Sequence, residues 1–454
     1  MKLARTSWHR IFLGKCANAE FESNGPGTKT MTSILSDLEE RNVLAQVSDR
    51  TALVQHLSSS GRVVYAGFDP SAPSLHVGNL VPLITLRRFQ MAGHKPIALV
   101  GGATGLIGDP SGREDERTLN DKSTVEDWVE QITQQITQFL DVSGDKGASV
   151  VNNMEWTEPL QLLSFLRDVG KHFSVNSMIQ RDSVKSRLDR AGSGISFTEF
   201  AYMLLQANDY LELARRYDCT LQFGGSDQWG NIVSGMDLVR RVLEKNVYGL
   251  TFHLITKSDG QKYGKTSSGA VWLDPSLTSP YSFYQYWLNM ADSEVGQLLN
   301  TFTLLPLDER EVLRISAIER PEEREAQLSL ARNLTKWVHG TEALRSAESI
   351  SRALFHGNIE ELAINEIEQL WQDGLDRVEV IEATPVTVAL SDSGLAASRS
   401  AARRLIRSNG IALNGERIVD EDAVISRSHA LYGRFHLIRR GRKAWCVARH
   451  ADAE

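Results

Sequence analysis

Four short stretches of this chain combine residue types and spacings that can handle charged or polar ligands. In "SLHVGNL" (74–80), His76, Gly78 and Asn79 fall within four positions where a strand gives way to a helix. A helix starting there aims unpaired N–H groups and partial positive charge beyond the strand end, which suits an anion. A capped helix with an incidental histidine is the other reading. "GGATGLIGDPSGREDER" (101–117) is glycine-rich but lacks both the Lys-Ser/Thr of a phosphate loop and G-x-G-x-x-G spacing. What separates it from a plain turn is Asp109 at the strand-to-loop end, with Arg113 and Arg117 spaced to point one way. In "YMLLQAND", Tyr202, Gln206 and Asp209 form one stripe of an otherwise apolar helix, either a structural network or a pocket for a polar ligand. In "KYGKTSSG", Lys262 and Lys265 follow the strand "FHLI" and either clamp a polyphosphate or decorate a solvated loop.

The intervening chain must position these stretches. "RVVYAGF" reads as a buried strand, Leu80, Leu83, Ile84 and Leu86 follow at helical spacing, and "IALVGG" starts a second strand after the break at "GHKP". This βαβ unit predicts a doubly wound parallel sheet with ligands at the carboxyl ends of its strands. The helix "STVEDWVEQITQQITQFL" is expected to open on a Ser123 to Glu126 capping box, and "FTEFAYMLLQANDY" on Ser196 to Glu199. "TLQFGGSDQW" repeats the strand, turn, helix layout and reads as the second half of the sheet. Residues from Pro280 to about Asp373 have helical spacing with few turn signals. The tail from Thr384 predicts a helix capped by Ser398 and closed by Gly410, then a hairpin at Asn414-Gly415.

The 454 residues exceed one ordinary core, and the 41% apolar and 24% charged composition is that of a globular chain without a membrane span. Cys16, Cys219 and Cys446 lie far apart, which argues against a disulfide framework or structural zinc and fits a reducing compartment. The net charge of −7 is uneven: from Ile381 onward twelve Lys/Arg face eight Asp/Glu, net +4, leaving −11 for the 380 residues before it. A basic module on an acidic body suits nucleic acid. The first nineteen residues hold Lys2, Arg5, Arg10 and Lys15 and no acid, a composition shared by a disordered leader and an organelle transit peptide, while Met31 reads as a second possible start.

Together the stretches resemble one class I aminoacyl-tRNA synthetase site: "HVGN" is similar to the first family signature and "KYGKTS" to the second. More narrowly, "YAGFDPSAPSLHVGNL", "GGATGLIGDPSGR", "GKHFSVN", "GISFTEFAYMLLQ", "GGSDQWGN" and "KYGKTSSGAVWLDP" resemble bacterial-type tyrosyl-tRNA synthetases over about residues 31–452. The resemblance implies an α/β fold: a leader (1–30), a Rossmann-like catalytic domain (31–275) with a helical dimer-forming insert (125–195), a helical anticodon-binding domain (276–380) and a small α+β RNA-binding domain similar to a ribosomal protein (384–454).

The resemblance also implies roles. Tyr65 and Asp209 would hold the tyrosine phenol, and Tyr202, Gln206 and Asp109 its α-amino group. His76, Asn79, Arg113, Arg117, Lys262 and Lys265 would stabilise the ATP phosphates, with Gly67, Asp69, Ser71, Gly225, Asp227, Gln228 and Lys265 around the nucleotide and adenylate. Magnesium would enter with ATP, and no zinc is expected. Asn79 stands where the family usually has a second histidine. Arg399, Arg403 and Arg407, together with Arg439, Arg440, Arg442 and Lys443, would contact tRNA(Tyr). The implied partners are tyrosine, ATP, tRNA and a second copy of the chain, with no membrane. The compartment would be the cytoplasm, or a mitochondrial or plastid matrix if the leader is a transit peptide. A tryptophanyl-type enzyme, and a synthetase-like RNA-binding protein without charging activity, are the alternatives.

Overall fold

The computed structural model describes residues 33–111, 119–144, 146–181, 184–185, 188, 194–255, 263, 265–266 and 269–451. The expected leader, Arg113, Arg117 and Lys262 lie outside these residues, and Lys265 is described only as backbone in the short strand Lys265–Thr266. Among the described residues no helix is long and apolar enough to cross a membrane.

The chain divides into two compact units, residues up to 271 with 292–321, and 272–291 with 322–454. The first is built on β1 (Leu44–Val47), β2 (Val63–Phe68), β3 (Lys95–Val100), β4 (Ser149–Asn152), β5 (Cys219–Gly225) and β6 (Tyr248–Phe252). Their order is β1-β6-β5-β2-β3-β4, parallel except for the β1–β6 pair. Near-continuous burial of β2 and β3 fits a parallel sheet covered on both faces. The helix Leu80–Met91 crosses from β2 to β3 and buries Leu80, Leu83, Ile84 and Leu86, as the spacing predicts. From β2 the chain winds out to β3 and β4, then returns to the other side of β2 for β5 and β6. The reversal opens a crevice between β2 and β5.

Two expectations need correction here. The helix Lys122–Phe139 starts one residue before Ser123, and its cap is Asp121, whose carboxylate accepts from the Thr124 N–H at 2.8 Å. A carboxylate suits the positive helix end better than a hydroxyl, and Ser123 instead donates its own hydroxyl to Asp121. Within the span expected as a helical insert, β4 pairs with β3, so the preceding helix is a crossover of the main sheet.

In the second unit, a five-stranded sheet runs in the order Glu416–Arg417, Ile411–Leu413, Phe435–Arg440, Ala444–His450, Asp376–Val380, the last pair being parallel. It therefore includes a strand ahead of residue 384. Alternation along the strands gives it two apolar faces. Ile438 and Cys446 face a core with Val386, Leu390, Ala402 and Ile406, while Leu437, Trp445 and Val447 pack with Tyr281, Ile350, Leu354, Ile367 and Leu370. The helical segment and the C-terminal sheet thus share one core. Ser398 caps the helix Arg399–Arg407 and Asn414-Gly415 turns the hairpin at φ 49° and 86°, as predicted. Asn409, not Gly410, takes the left-handed conformation after that helix, with φ 53°.

Candidate active site

The crevice between β2 and β5 collects most of the chemistry-bearing residues. Tyr65 on β2 lies in register with Gln222 on β5 and is fully buried, its ring edge-on to Tyr210 at 5.2 Å. The Tyr210 hydroxyl donates to the Tyr248 carbonyl at 2.7 Å, but the Tyr65 hydroxyl has no partner among the described residues. Buried Oε1 atoms of Gln206 and Gln222 are also unpartnered. Buried polar atoms are paired in nearly all folded proteins, so three orphans on the elements lining one crevice mark a place for a polar ligand.

The helix Phe197–Arg216, capped by Ser196, carries the stripe of Tyr202, Gln206 and Asp209. Asp209 is held at both oxygens, Oδ1 accepting from Trp156 Nε1 at 2.8 Å and Oδ2 from Asn153 Nδ2 at 3.0 Å. Burial outweighs these two bonds and pushes its carboxyl up to about 7. Asn153 also donates to Thr104 Oγ1 at 3.1 Å and accepts from the Ala103 N–H at 2.8 Å. The network continues through Asp69, which accepts from Thr104 Oγ1 and the Tyr202 hydroxyl, both at 2.7 Å. Gly101 makes this approach possible, because a Cβ there would stand 2.0 Å from Asp69 Oδ1. Burial first, then the fields of Asp69, Asp109 and Asp209, hold the Tyr202 phenol well above its ordinary range. Asp109 accepts from Gln228 Nε2 at 2.7 Å and from the Ser111 N–H at 2.9 Å.

His76 and Asn79 meet in a reciprocal cap: His76 Nδ1 accepts from the Gly78 N–H at 2.9 Å, and Asn79 Oδ1 accepts from the His76 N–H at 3.0 Å. The result is a single 3-10 turn, Val77–Asn79, ahead of the helix expected near Leu75. The Val77 N–H donates to the Val271 carbonyl at 2.9 Å, tying this turn to the chain six residues beyond Lys265. Open space lies where a Cβ on Gly67 would project, and the Ser71 N–H closes a tight turn on the Asp69 carbonyl. After β5, Gly225, Asp227 and Gln228 lead into the helix Trp229–Leu243.

The structure therefore gathers Tyr65, Asp69, Asp109, Tyr202, Asp209 and Gln228 around one crevice, with Gln206 on the same helical stripe as Tyr202 and Asp209. Thr104, Asn153, Trp156 and Gln222 were not foreseen. The polar pair and indole of "NNMEW", directly after the strand "SVV", were the available signal. Among the expected RNA contacts, Arg399, Arg403, Arg442 and Lys443 are exposed, as is their neighbour Arg404. Arg407 is paired with Glu421, Arg440 donates to the Leu395 carbonyl, and Arg439 lies over the Trp445 ring.

Residues 59–356 match the family model described as class I tRNA synthetases (W and Y). The chain belongs to the class I tyrosyl- and tryptophanyl-tRNA synthetase family. Residues 366–448 of this synthetase match the model for the C-terminal domain of SYY-like tyrosine–tRNA ligases. It is 50% identical over 418 residues to the tyrosine–tRNA ligase of Aliivibrio fischeri (strain MJ11), covering 90% of this chain and 97% of that one. It is 49% identical over 417 residues to the tyrosine–tRNA ligase of Klebsiella pneumoniae subsp. pneumoniae, covering 92% and 97%. Among solved structures, the C-terminally truncated mitochondrial tyrosyl-tRNA synthetase of Coccidioides posadasii aligns with TM-score 0.62 and 33% identity, over 70% of this chain and 91% of that one. The corresponding Aspergillus nidulans enzyme gives 0.65 and 31%, over 71% and 94%.

Proposed function

We propose that this synthetase is a tyrosine–tRNA ligase: it joins tyrosine to ATP as tyrosyl-adenylate, releasing pyrophosphate, and passes the tyrosyl group to the 3′ end of tRNA(Tyr). The observation that carries the amino-acid specificity is the Tyr65 hydroxyl, unpartnered among the described residues and within the field of the Asp209 carboxylate. A phenol satisfies both, its oxygen accepting from Tyr65 and its hydrogen going to Asp209. An indole can donate to Asp209 but leaves Tyr65 orphaned, and a phenyl ring offers a hydrogen bond to neither group. For the α-ammonium group there are three acceptors to match its three N–H bonds: the Tyr202 oxygen, whose own hydrogen is taken by Asp69, Gln206 Oε1 and an Asp109 oxygen.

The first step needs alignment and charge stabilisation rather than an enzyme nucleophile. His76 accepts at Nδ1, so its ring proton resides on Nε2, the atom that donates to phosphate. Asn79, Arg113, Arg117, Lys262 and Lys265 complete the phosphate contacts, and Gly67, Asp69, Ser71, Gly225, Asp227 and Gln228 surround the nucleotide. Magnesium accompanies ATP as part of the substrate. Two helix starts, after His76 and after Gly225, support this assignment. The helical segments 276–291 and 322–375 bind the anticodon region, and Arg399, Arg403, Arg404, Arg442 and Lys443 contact the tRNA backbone. Leu160, Leu162, Leu163, Leu166, Val175 and Ile179 are exposed on one segment, which supports a homodimer. The reaction belongs to the cytoplasm, or to an organelle matrix if residues 1–30 address it there.

The deciding experiment is ATP/pyrophosphate exchange with tyrosine, with tryptophan and with no amino acid. Exchange dependent on tyrosine is expected. Dependence on tryptophan, or no exchange at all, would select the two alternatives in turn. Charge reversal at Arg403 and Arg404 should lower tRNA charging and leave exchange intact.

A further inference from the structure

The helix Asp292–Phe302, part of the first unit, is bonded at both of its ends to segments next to the two signatures. Near its start, Glu294 Oε2 accepts from the hydroxyl of Tyr263 at 2.5 Å. Tyr263 is buried, lies between Lys262 and Lys265 in sequence, and bonds through its N–H to the Ile255 carbonyl at 3.1 Å. At the helix's other end, where unpaired carbonyls concentrate negative charge, three arginines converge. Arg88 Nη2 donates to the carbonyls of Asn300, Thr301 and Thr303 at 2.8 to 2.9 Å. Arg41 donates to the carbonyls of Asn300, Thr303 and Leu305 at 3.0 to 3.2 Å. Arg310 donates to the Leu305 carbonyl at 3.1 Å and to Glu40 at 2.9 Å. Arg88 is the decisive member, because it sits in the last turn of Leu80–Met91, the helix that follows His76–Asn79.

We infer that Glu294 is a positioning residue for adenylate formation, tying Tyr263 of the second signature to the helix Asp292–Phe302 and so, through Arg88, to the helix that follows His76–Asn79. The helix Asp292–Phe302 acts as the strut: one end bears the second signature's tyrosine and the other is clamped to the helix of the first signature. The Val77 to Val271 bond closes the same loop of contacts from the other side. The strut has a chemical rationale. In the proposed reaction Lys262 and Lys265 serve one polyphosphate, and two like charges repel, so an anchor on the residue between them favours their sharing it. A buried phenol bonded to a carboxylate at a helix start supplies that anchor, since charge-assisted bonds are about twice as strong as neutral ones.

The inference rests on the proposed tyrosine activation, and the test separates the two. Tyr263→Phe, Glu294→Ala and the double variant are compared with wild type in tyrosine-dependent exchange, with KM for tyrosine and for ATP determined separately and Tm recorded. Each single variant should lower kcat about tenfold with Tm and KM for tyrosine unchanged, and the double should be no worse than either single, as partners in one bond behave. Glu294→Gln, which retains an acceptor oxygen, should recover most of the loss. Singles within twofold of wild type, losses that multiply in the double, or a parallel rise in KM for tyrosine would each overturn the strut. A wild-type chain inactive with tyrosine would instead overturn the reading beneath it.

Discussion

Trp156 donates to Asp209 at 2.8 Å from just beyond the end of β4, while Asp209 comes from a helix more than fifty residues later. With Asn153 on the other oxygen, the indole fixes the plane of a carboxylate whose field reaches Tyr65. In the proposed tyrosine site, the acceptor for the phenol is thus oriented by Trp156 and Asn153.

Trp156→Phe should therefore reduce kcat/KM for tyrosine about tenfold or more, since a hydrogen bond to a charged acceptor is worth about 1.5–3 kcal/mol. ATP KM should hardly change. Steady-state exchange kinetics provide the check, and an unaltered tyrosine KM would show that Asp209 is aimed by something else.

Asp209 also predicts a pH dependence. Its carboxyl is pushed up to about 7, chiefly by burial, and the ionised form is the better acceptor for a phenol. KM for tyrosine should accordingly fall as pH rises from 6 to 8, and Asp209→Asn should abolish that slope. The stability effect has the opposite sense. The folded state holds this proton more tightly than the unfolded chain, so the contribution is full below about 4, the ordinary carboxylate range, and is lost as pH rises through about 7.

Asn79→His should be tolerated. The Asn79 side chain accepts from the His76 N–H at 3.0 Å, a bond that an imidazole nitrogen can also accept. Adenylate formation within tenfold of wild type is expected in single-turnover measurements; a loss beyond a hundredfold would contradict a neutral, replaceable contact.

Leu162 and Leu163 are 70% and 80% exposed. Leu162→Glu with Leu163→Glu should convert the proposed homodimer to monomer in sedimentation velocity, without lowering the Tm of the separated chains. A dimer that survives the double substitution would place the contact elsewhere.

In the C-terminal unit, His436 Nε2 faces His450 Nε2 at 3.2 Å, and Asn414 Nδ2 donates to His436 Nδ1 at 3.0 Å. Burial first, then the neighbouring charge of His450, lowers His436 to about 4. The unfolded chain takes up that proton more readily, so its contribution to stability is full above about 6.5 and is lost as pH falls toward 4. Thermal melts from pH 7 to 5 should show His436→Gln gaining in Tm relative to wild type as the pH falls, and an unchanged difference would contradict the buried neutral imidazole.

Local patterns settled what needs only neighbours along the chain. The strand and helix alternation around residues 63–100, the Ser196 and Ser398 caps, the Asn414-Gly415 turn and the stripe of Tyr202, Gln206 and Asp209 all depend on spacing, and spacing is written in the sequence. The family signatures were equally legible, because each is a contiguous run. The cap of the helix at Lys122 was misread for the same local reason: Asp121 and Ser123 are both competent cap types, and only the backbone conformation chose between them.

Tertiary contact decided the rest. No periodicity brings Trp156 and Asn153 to Asp209, Gln222 alongside Tyr65, or Glu294 to Tyr263, since each pair joins residues from different elements. Nor could composition show that Asp376–Val380 completes the C-terminal sheet, because strand pairing is a property of two segments. The sequence determined which side chains were available and on which face of each element they stand. Packing determined which of their polar atoms were satisfied internally and which, like the Tyr65 hydroxyl, were not. That distinction exists only when distant groups compete for the same hydrogen bonds.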